Sequence, residues 1–339
     1  MKNLKRAVRK ITFVWLGILM MIVLQLIGGG SSVAKPIEMS WLSFLPRTNQ
    51  SVQGLQKYLF DRINEKAKGQ MVIKYRGGPE VISGYDIGAA VQKGIIDFAM
   101  VPVGYYEPLA PGVAGAQLTQ ISLDEERRSG GGYDYLVELH KKGGLMYLGR
   151  AAHTTHPYFF LFLNKWPQTP NDFKGIKIGS SAGSRPAVAG WGGTHTGLAH
   201  SEYYPALQQG VIDGLAGVPL VSAADLGIQE VIKYVADHPY WVSTAVTIMN
   251  LNSWNKLSKN LQDIILTTMI QAEKDQMKQD DIDRPAAREK FNKKGVQFRT
   301  FPPEMAKWYL ETAYNAGWEF QQRRFPEVTP KLRELLSKK

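Results

Sequence analysis

The 339-residue sequence contains no cysteine, which excludes disulfide frameworks, zinc–thiolate sites, iron–sulfur clusters, cysteine nucleophiles and lipid attachment through an N-terminal cysteine. Charge is also sparse. Charged residues make up 21% of the chain and hydrophobic residues 44%, so a packed core is within reach and intrinsic disorder is not expected. With 33 glycines and 18 prolines the composition lacks the bias of a low-complexity or collagen-like chain. No G-x-x-x-x-G-K-[ST] motif is present and no G-x-G-x-x-G follows a predicted strand. Gly130-Gly131-Gly132 lacks the spacing that cradles a phosphate, so no nucleotide, and no cofactor of any other kind, is expected.

What is present starts with the placement of the charge. The net charge is +11, and Lys2, Lys5, Arg6, Arg9 and Lys10 supply five of these before any acid occurs. An uncharged, mostly apolar run from Ile11 to Ile27 follows, then Gly28 to Gly30 and Ser32-Val33-Ala34. That is the pattern of a secretory signal peptide cut after about Ala34, giving a periplasmic protein with no stable membrane insertion after cleavage. As an uncleaved anchor the run would sit at the short limit of the roughly 17–25 residues that span a bilayer. Removing the segment leaves a net charge of +6, read as a solvated surface, and a nucleic-acid partner is not expected.

Along the remaining chain Ile37, Met39 and Trp41 alternate as a strand, and a helix runs from an Asn49 N-cap through Val52, Leu55, Leu59, Phe60 and Ile63 to Gly69. A strand at Met71–Tyr75, a short helix closed by Gly94 and a strand from Ile95 to Val101 complete a β-α-β-α-β order. That order predicts an α/β fold with mostly parallel sheets. The unit recurs. Ala90-Val91-Gln92-Lys93-Gly94-Ile95-Ile96-Asp97-Phe98 and Ala206-Leu207-Gln208-Gln209-Gly210-Val211-Ile212-Asp213-Gly214 agree at five of nine positions. Two similar lobes with a ligand cleft between them are therefore expected. Residues 35–160, with C-terminal segments returning to them, are assigned to the first lobe and 161–250 to the second. Residues 251–339 are read as a long helix interrupted at Pro285, a strand and a C-terminal helix packed on both lobes.

Three constellations bear on chemistry. Gly179-Ser180-Ser181-Ala182-Gly183 matches the G-x-S-x-G nucleophile elbow between a predicted strand and helix, and Asp213 with His238 could complete a hydrolase triad. The same segment also reads as a small-residue loop facing a ligand, and that reading is preferred because Asp213 already belongs to the repeat. His153 with His156 and His195 with His200 form spaced pairs without a nearby carboxylate cluster, so no metal is expected. Trp41, Phe44, Tyr85, Tyr105, Trp191, Tyr203 and Tyr204 gather at predicted strand ends and helix starts, where an α/β cleft forms.

Asp172-Phe173-Lys174-Gly175-Ile176-Lys177-Ile178, followed by Glu202-Tyr203-Tyr204-Pro205-Ala206-Leu207-Gln208-Gln209-Gly210-Val211-Ile212-Asp213-Gly214, resembles the substrate-binding proteins of tripartite ATP-independent periplasmic (TRAP) transporters, the DctP family. The resemblance covers the exported chain. It implies a two-lobed periplasmic-binding-protein fold with crossing strands and a long hinge-spanning helix, no enzymatic activity, and membrane permease subunits as partners. It also implies that an arginine pairing with a substrate carboxylate is replaced here by Gly179, and that Lys165 stands near a second arginine position. On that basis the expected ligand-binding set is Trp41, Phe44, Tyr85, Tyr105, Arg150, Lys165, Gly179, Ser180, Arg185, His200 and Gly217. Two ligands remain open: an organic acid held by Lys165, Arg150 or Arg185, or a bulkier neutral or aromatic solute in the space vacated at Gly179.

Overall fold

Eleven strands among the described residues form two sheets of matching design. The computed structural model describes residues 35–151, 158–242 and 245–338. The first sheet contains β1 (Ile37–Ser43), β2 (Met71–Gly77), β3 (Phe98–Pro102), β4 (Leu145–Arg150) and β10 (Ala245–Asn250), in the order β2-β1-β3-β10-β4. The second contains β5 (Phe159–Leu163), β6 (Lys177–Ser180), β7 (Thr194–Gly197), β8 (Gly214–Pro219), β9 (Tyr234–Ala236) and β11 (Gln297–Arg299), in the order β11-β9-β5-β8-β6-β7. In the first sheet β1 runs parallel to β3, and β10 runs antiparallel to both β3 and β4. In the second, β6 runs parallel to β8, and β5 runs antiparallel to both β8 and β9.

The two antiparallel strands are exchanged between the halves. β5 follows β4 in sequence but pairs in the second sheet, and β10 follows β9 but pairs in the first. Every residue of both is buried, as suits a strand covered on both faces. The boundary expected at 250 is therefore displaced, because Ala245–Asn250 belongs to the first sheet. The boundary at 160 likewise falls inside β5.

The repeated aspartates do the same work in each half. Asp97 Oδ2 accepts from Ser40 N at 2.9 Å, tying the start of β3 to its parallel neighbour β1. Asp213 Oδ2 accepts from Lys177 N at 3.0 Å, tying the start of β8 to its parallel neighbour β6. The glycines ahead of them, Gly94 and Gly210, have φ of +71° and +69°, the left-handed geometry that ends a helix and turns the chain into the strand. The motif is thus a helix stop, a turn and a strand clamp, used twice.

The helical regions follow the sequence with instructive exceptions. Asn49 caps the first helix by accepting from Ser51 N at 2.9 Å, but Gln56–Phe60 widens into a π-turn inside it. The segment Ser122–Lys142 divides at its glycines into the helices Leu123–Glu126 and Gly132–Lys142. The helix Lys259–Lys293 is continuous through Pro285, contrary to expectation. Proline removes the bond to the carbonyl four residues back, and here both Pro285 and Asp281 are exposed, a position where solvent can satisfy such a carbonyl. Leu261, Ile265, Met269 and Ala272 bury this helix in the core of the first lobe, and Ala287 and Phe291 bury it in the second. The helix Pro303–Arg324 packs on the helix Arg185–Trp191, where Trp191 Nε1 donates to Tyr309 O at 2.9 Å and the two rings stack 4.5 Å apart.

Candidate ligand-binding site

β3 and β8 each end in a proline, Pro102 and Pro219, and these ends meet across a cavity. Ligands of open α/β sheets bind at such carboxyl ends. A small cavity of about 50 Å³, partly open to solvent, lies between Phe44, Leu45, Ser51, Met100, Pro102, Gly104, Tyr105 and Gln117 on one side and Phe159, Ser181, Gly183, His200, Gly217, Pro219 and Ser222 on the other. Ala245 of the crossing strand β10 lies against the same space.

Gly217 brings Pro219 into position. In the register of β8 with β5, Phe160 pairs with Val218 and Leu161 with Ala216, so Gly217 is the extra residue of a bulge. Its φ of +76° is left-handed, and a Cβ there would lie 2.0 Å from Ser184 Oγ. Gly217→Ala is expected to lower stability by at least about 1–2 kcal/mol from the backbone alone, read as a melting temperature several degrees below wild type. An unchanged melting temperature would show that the bulge relaxes freely.

His200 joins the two lobes. Its ring lies edge-on to Phe44 at 5.5 Å and tilted against Tyr203 at 4.9 Å, and its Nδ1 is 3.3 Å from Tyr105 Oη. Burial lowers the imidazole pKa to about 4, so at neutral pH His200 is an uncharged hydrogen-bonding group. Burial likewise raises the Tyr105 hydroxyl well above its ordinary value, and Tyr85 stacks on Tyr105 at 4.0 Å on the outer side. An outer vestibule shares Phe44, Tyr105 and His200 with the cavity, making these three rings the wall between them. Below, Gln117 Nε2 donates to Gly183 O at 3.0 Å, a second bond between the lobes.

Of the residues expected at the site, Phe44, Tyr105, His200 and Gly217 line the cavity, and Tyr85 sits in the vestibule. Ser180 lies buried beneath, its Oγ donating to the carbonyl of Ser181, and Ser181 takes the lining position. The other five lie elsewhere. Trp41 is in the core of the first lobe, donating from Nε1 to Gln56 Oε1 at 3.0 Å and stacked on Phe60. The Arg150 side chain is fully buried against Glu126 at 2.6 Å and Ala116 O at 3.2 Å. Lys165 is exposed beyond the end of β5 that pairs with the start of β8, on the order of 20 Å of strand from Phe159 at the cavity. Arg185 is exposed at the first turn of Arg185–Trp191. At Gly179 no space is vacated, because a Cβ would lie 2.5 Å from Ile212 Cδ1 and 3.2 Å from Leu198 Cδ1. The residues the sequence did not single out, chiefly Gln117, Met100, Pro102, Phe159, Pro219 and Ser222, carry no motif. The prolines closing β3 and β8 were the available signal.

The hydrolase arrangement is not formed. Asp213 is committed to Lys177 N, and His238 Nε2 accepts from Phe301 N at 2.8 Å while its ring stacks on Phe301. Among the described residues no group of three or more His, Asp or Glu gathers to hold a metal, and no helix is long and apolar enough to cross a membrane. His153 and His156 lie outside the described residues, as does the segment 1–34.

Two α/β sheets joined by exchanged strands around a cavity define a two-lobed binding protein. Residues 43–321 match the family model of the bacterial extracellular solute-binding proteins, family 7 (DctP), and the chain belongs to that family. It is 23% identical over 218 residues to a monocarboxylate 2-oxoacid-binding periplasmic protein of Nostoc sp., a match spanning 62% of this chain and 59% of that relative's length. Among solved structures, a TRAP periplasmic solute binding protein from Desulfovibrio salexigens with bound orotic acid superposes with a TM-score of 0.79 at 20% identity, covering 88% of this chain and 97% of that one. A Bordetella pertussis extracytoplasmic solute receptor binding pyroglutamic acid gives 0.75 at 17% identity, covering 88% and 99%.

Proposed function

We propose that this chain is an extracytoplasmic receptor that captures one small organic solute between its two lobes and delivers it to the membrane permease of a TRAP-type transporter. The observation carrying this reading is that the cavity takes its walls from both lobes. A solute touching Phe44, Tyr105 and Gln117 on one side and Ser181, His200 and Ser222 on the other stabilises the closed form over the open one. The crossing strands β5 and β10 and the helix Lys259–Lys293 supply the hinge. The protein acts by binding, without chemistry on the solute, and is exported on residues 1–34 with cleavage after about Ala34. The small organic ligands named for the Nostoc, D. salexigens and B. pertussis proteins support a solute of that size.

The test is mass spectrometry of small molecules released when the protein, purified from its host's cell envelope, is heat-denatured. One solute released in proportion to protein is expected. A protein that releases no solute, and whose melting temperature no small molecule shifts, would contradict the receptor reading. A ligand at a hundred times its Kd stabilises by about 2.7 kcal/mol, so its effect would be seen.

A further inference from the structure

The cavity has an electrical character of its own. Among the described residues, none that lines it is Lys, Arg, Asp or Glu, and the same holds for the outer vestibule. The three cations considered from sequence all lie away from it: Arg150 is paired with Glu126, and Lys165 and Arg185 are exposed. A carboxylate entering this enclosure would lose its hydration without gaining an opposite charge from the described residues that line it. His200 does not supply one, since burial holds it neutral.

The walls offer ring faces and a few neutral polar groups instead. Phe44 and Tyr105 stand on one side, with His200 and Phe159 on the other. Gln117 gives its Nε2 to Gly183 O, and its Oε1 accepts no hydrogen bond from the described residues, leaving an acceptor at the cavity. Ser181 and Ser222 add hydroxyls that can donate or accept.

We infer that the solute is an uncharged aromatic or heteroaromatic molecule carrying an N–H or O–H donor, seated among Phe44, Tyr105, His200 and Phe159 with its donor on Gln117 Oε1. This inference rests on the receptor reading and narrows it to one chemical class. Ring faces stack with the solute, and a neutral donor satisfies Gln117 without a buried charge.

The experiment compares matched pairs that differ in charge and little in shape: benzamide with benzoate, phenylacetamide with phenylacetate, and indole-3-acetamide with indole-3-acetate. Each is titrated by calorimetry against the full exported protein at pH 7.5 and at pH 5. At least one amide is expected to bind at pH 7.5, on the order of 30-fold or more tighter than its carboxylate. In Gln117→Leu its affinity should fall about tenfold while the melting temperature of the ligand-free protein stays near wild type. Carboxylates that bind as tightly as their amides, or that bind more tightly at pH 5 by recruiting a proton to His200, would overturn the inference. So would a panel in which no amide binds. In each case the solute released on denaturation judges the receptor reading separately: a released carboxylate would leave that reading standing and reject this one. Should Gln117→Leu fail to fold, the paired titrations on the wild-type protein still decide.

Discussion

Binding of an uncharged ligand is expected to weaken roughly 30-fold between pH 7.5 and pH 5, because closure buries His200 and moves its pKa from the ordinary 6.5 or so down to about 4. In the open form the imidazole is solvated and takes up a proton as the pH falls through about 6.5. In the closed form it stays neutral until about 4. The closed state therefore holds fewer protons, and acid favours opening. The loss begins near pH 6.5 and levels off below about pH 4. Tyr105 and Tyr203, which face the ring, are both held neutral by burial and add no charge in this range. A ligand without a titrating group keeps the measurement clean. His200→Gln retains a hydrogen-bonding side chain without the titration, and its affinity should stay level across the same range. A wild-type affinity that is flat from pH 7.5 to 5 would mean that His200 is equally buried with the lobes apart.

His140 gives the internal control. It is enclosed in the first lobe, its Nε2 2.8 Å from Tyr106 Oη, and burial also lowers its pKa to about 4. Because that value is depressed in the folded form, its contribution to stability is complete above about pH 6.5 and is lost as the pH falls toward 4. This acts on unfolding, whereas His200 acts on closure. Melting curves without ligand therefore separate the two.

Gly104→Trp is expected to weaken ligand binding by on the order of 100-fold or more while leaving the fold intact. Gly104 lies in the first lobe on the short helix Val103–Tyr106, and Gly183 lies in the second lobe on the 3₁₀ turn Ala182–Ser184 after β6. A Cβ on Gly104 would sit 3.7 Å from Gly183 Cα, so the two backbones touch across the seam. An alanine fits at that distance, but an indole does not, and it would hold the lobes apart. If only about 1% of molecules can then close, the apparent affinity falls by the inverse of that fraction. Gly104→Ala should bind nearly as wild type. Equal affinity in the tryptophan variant would place the ligand somewhere other than this seam.

Much of the fold was legible because its signals are local. The repeated Ala-x-Gln-x-Gly-x-Ile-Asp string marks a helix stop and a strand clamp in each lobe, and burial of Phe159–Leu163 and Ala245–Asn250 agrees with their apolar runs. The short strand β9 and the polar edge strand β7 gave no pattern to find, since Thr194–Gly197 has no buried residue. At the site, Phe44 and Tyr105, just past the strands β1 and β3, fall on the cavity wall. Lys165 lies away from the cavity because β5 is a crossing strand that runs antiparallel to β8, so its C-terminal end sits beside the start of β8. Trp41 and Gly179 lie on strands β1 and β6, where alternation sends one residue toward the cavity and the next into a core. Position along the chain does not tell which. Gln117 lies in the 3₁₀ helix Val113–Leu118, whose residues are all buried and show no periodicity.

Closure on the solute is the central claim, and the absence of cysteine makes it directly measurable. Lys68, just ahead of β2 in the first lobe, and Lys174, just ahead of β6 in the second, are both exposed and line neither the cavity nor the vestibule. Lys68→Cys with Lys174→Cys would carry two spin labels and no others. Pulsed electron paramagnetic resonance should show a broad distribution of label distances in the free protein. On saturation with a solute that binds, this should collapse to one narrow distance matching the closed structure, and Gly104→Trp should prevent the collapse. The same distance distribution with and without bound solute would contradict the account.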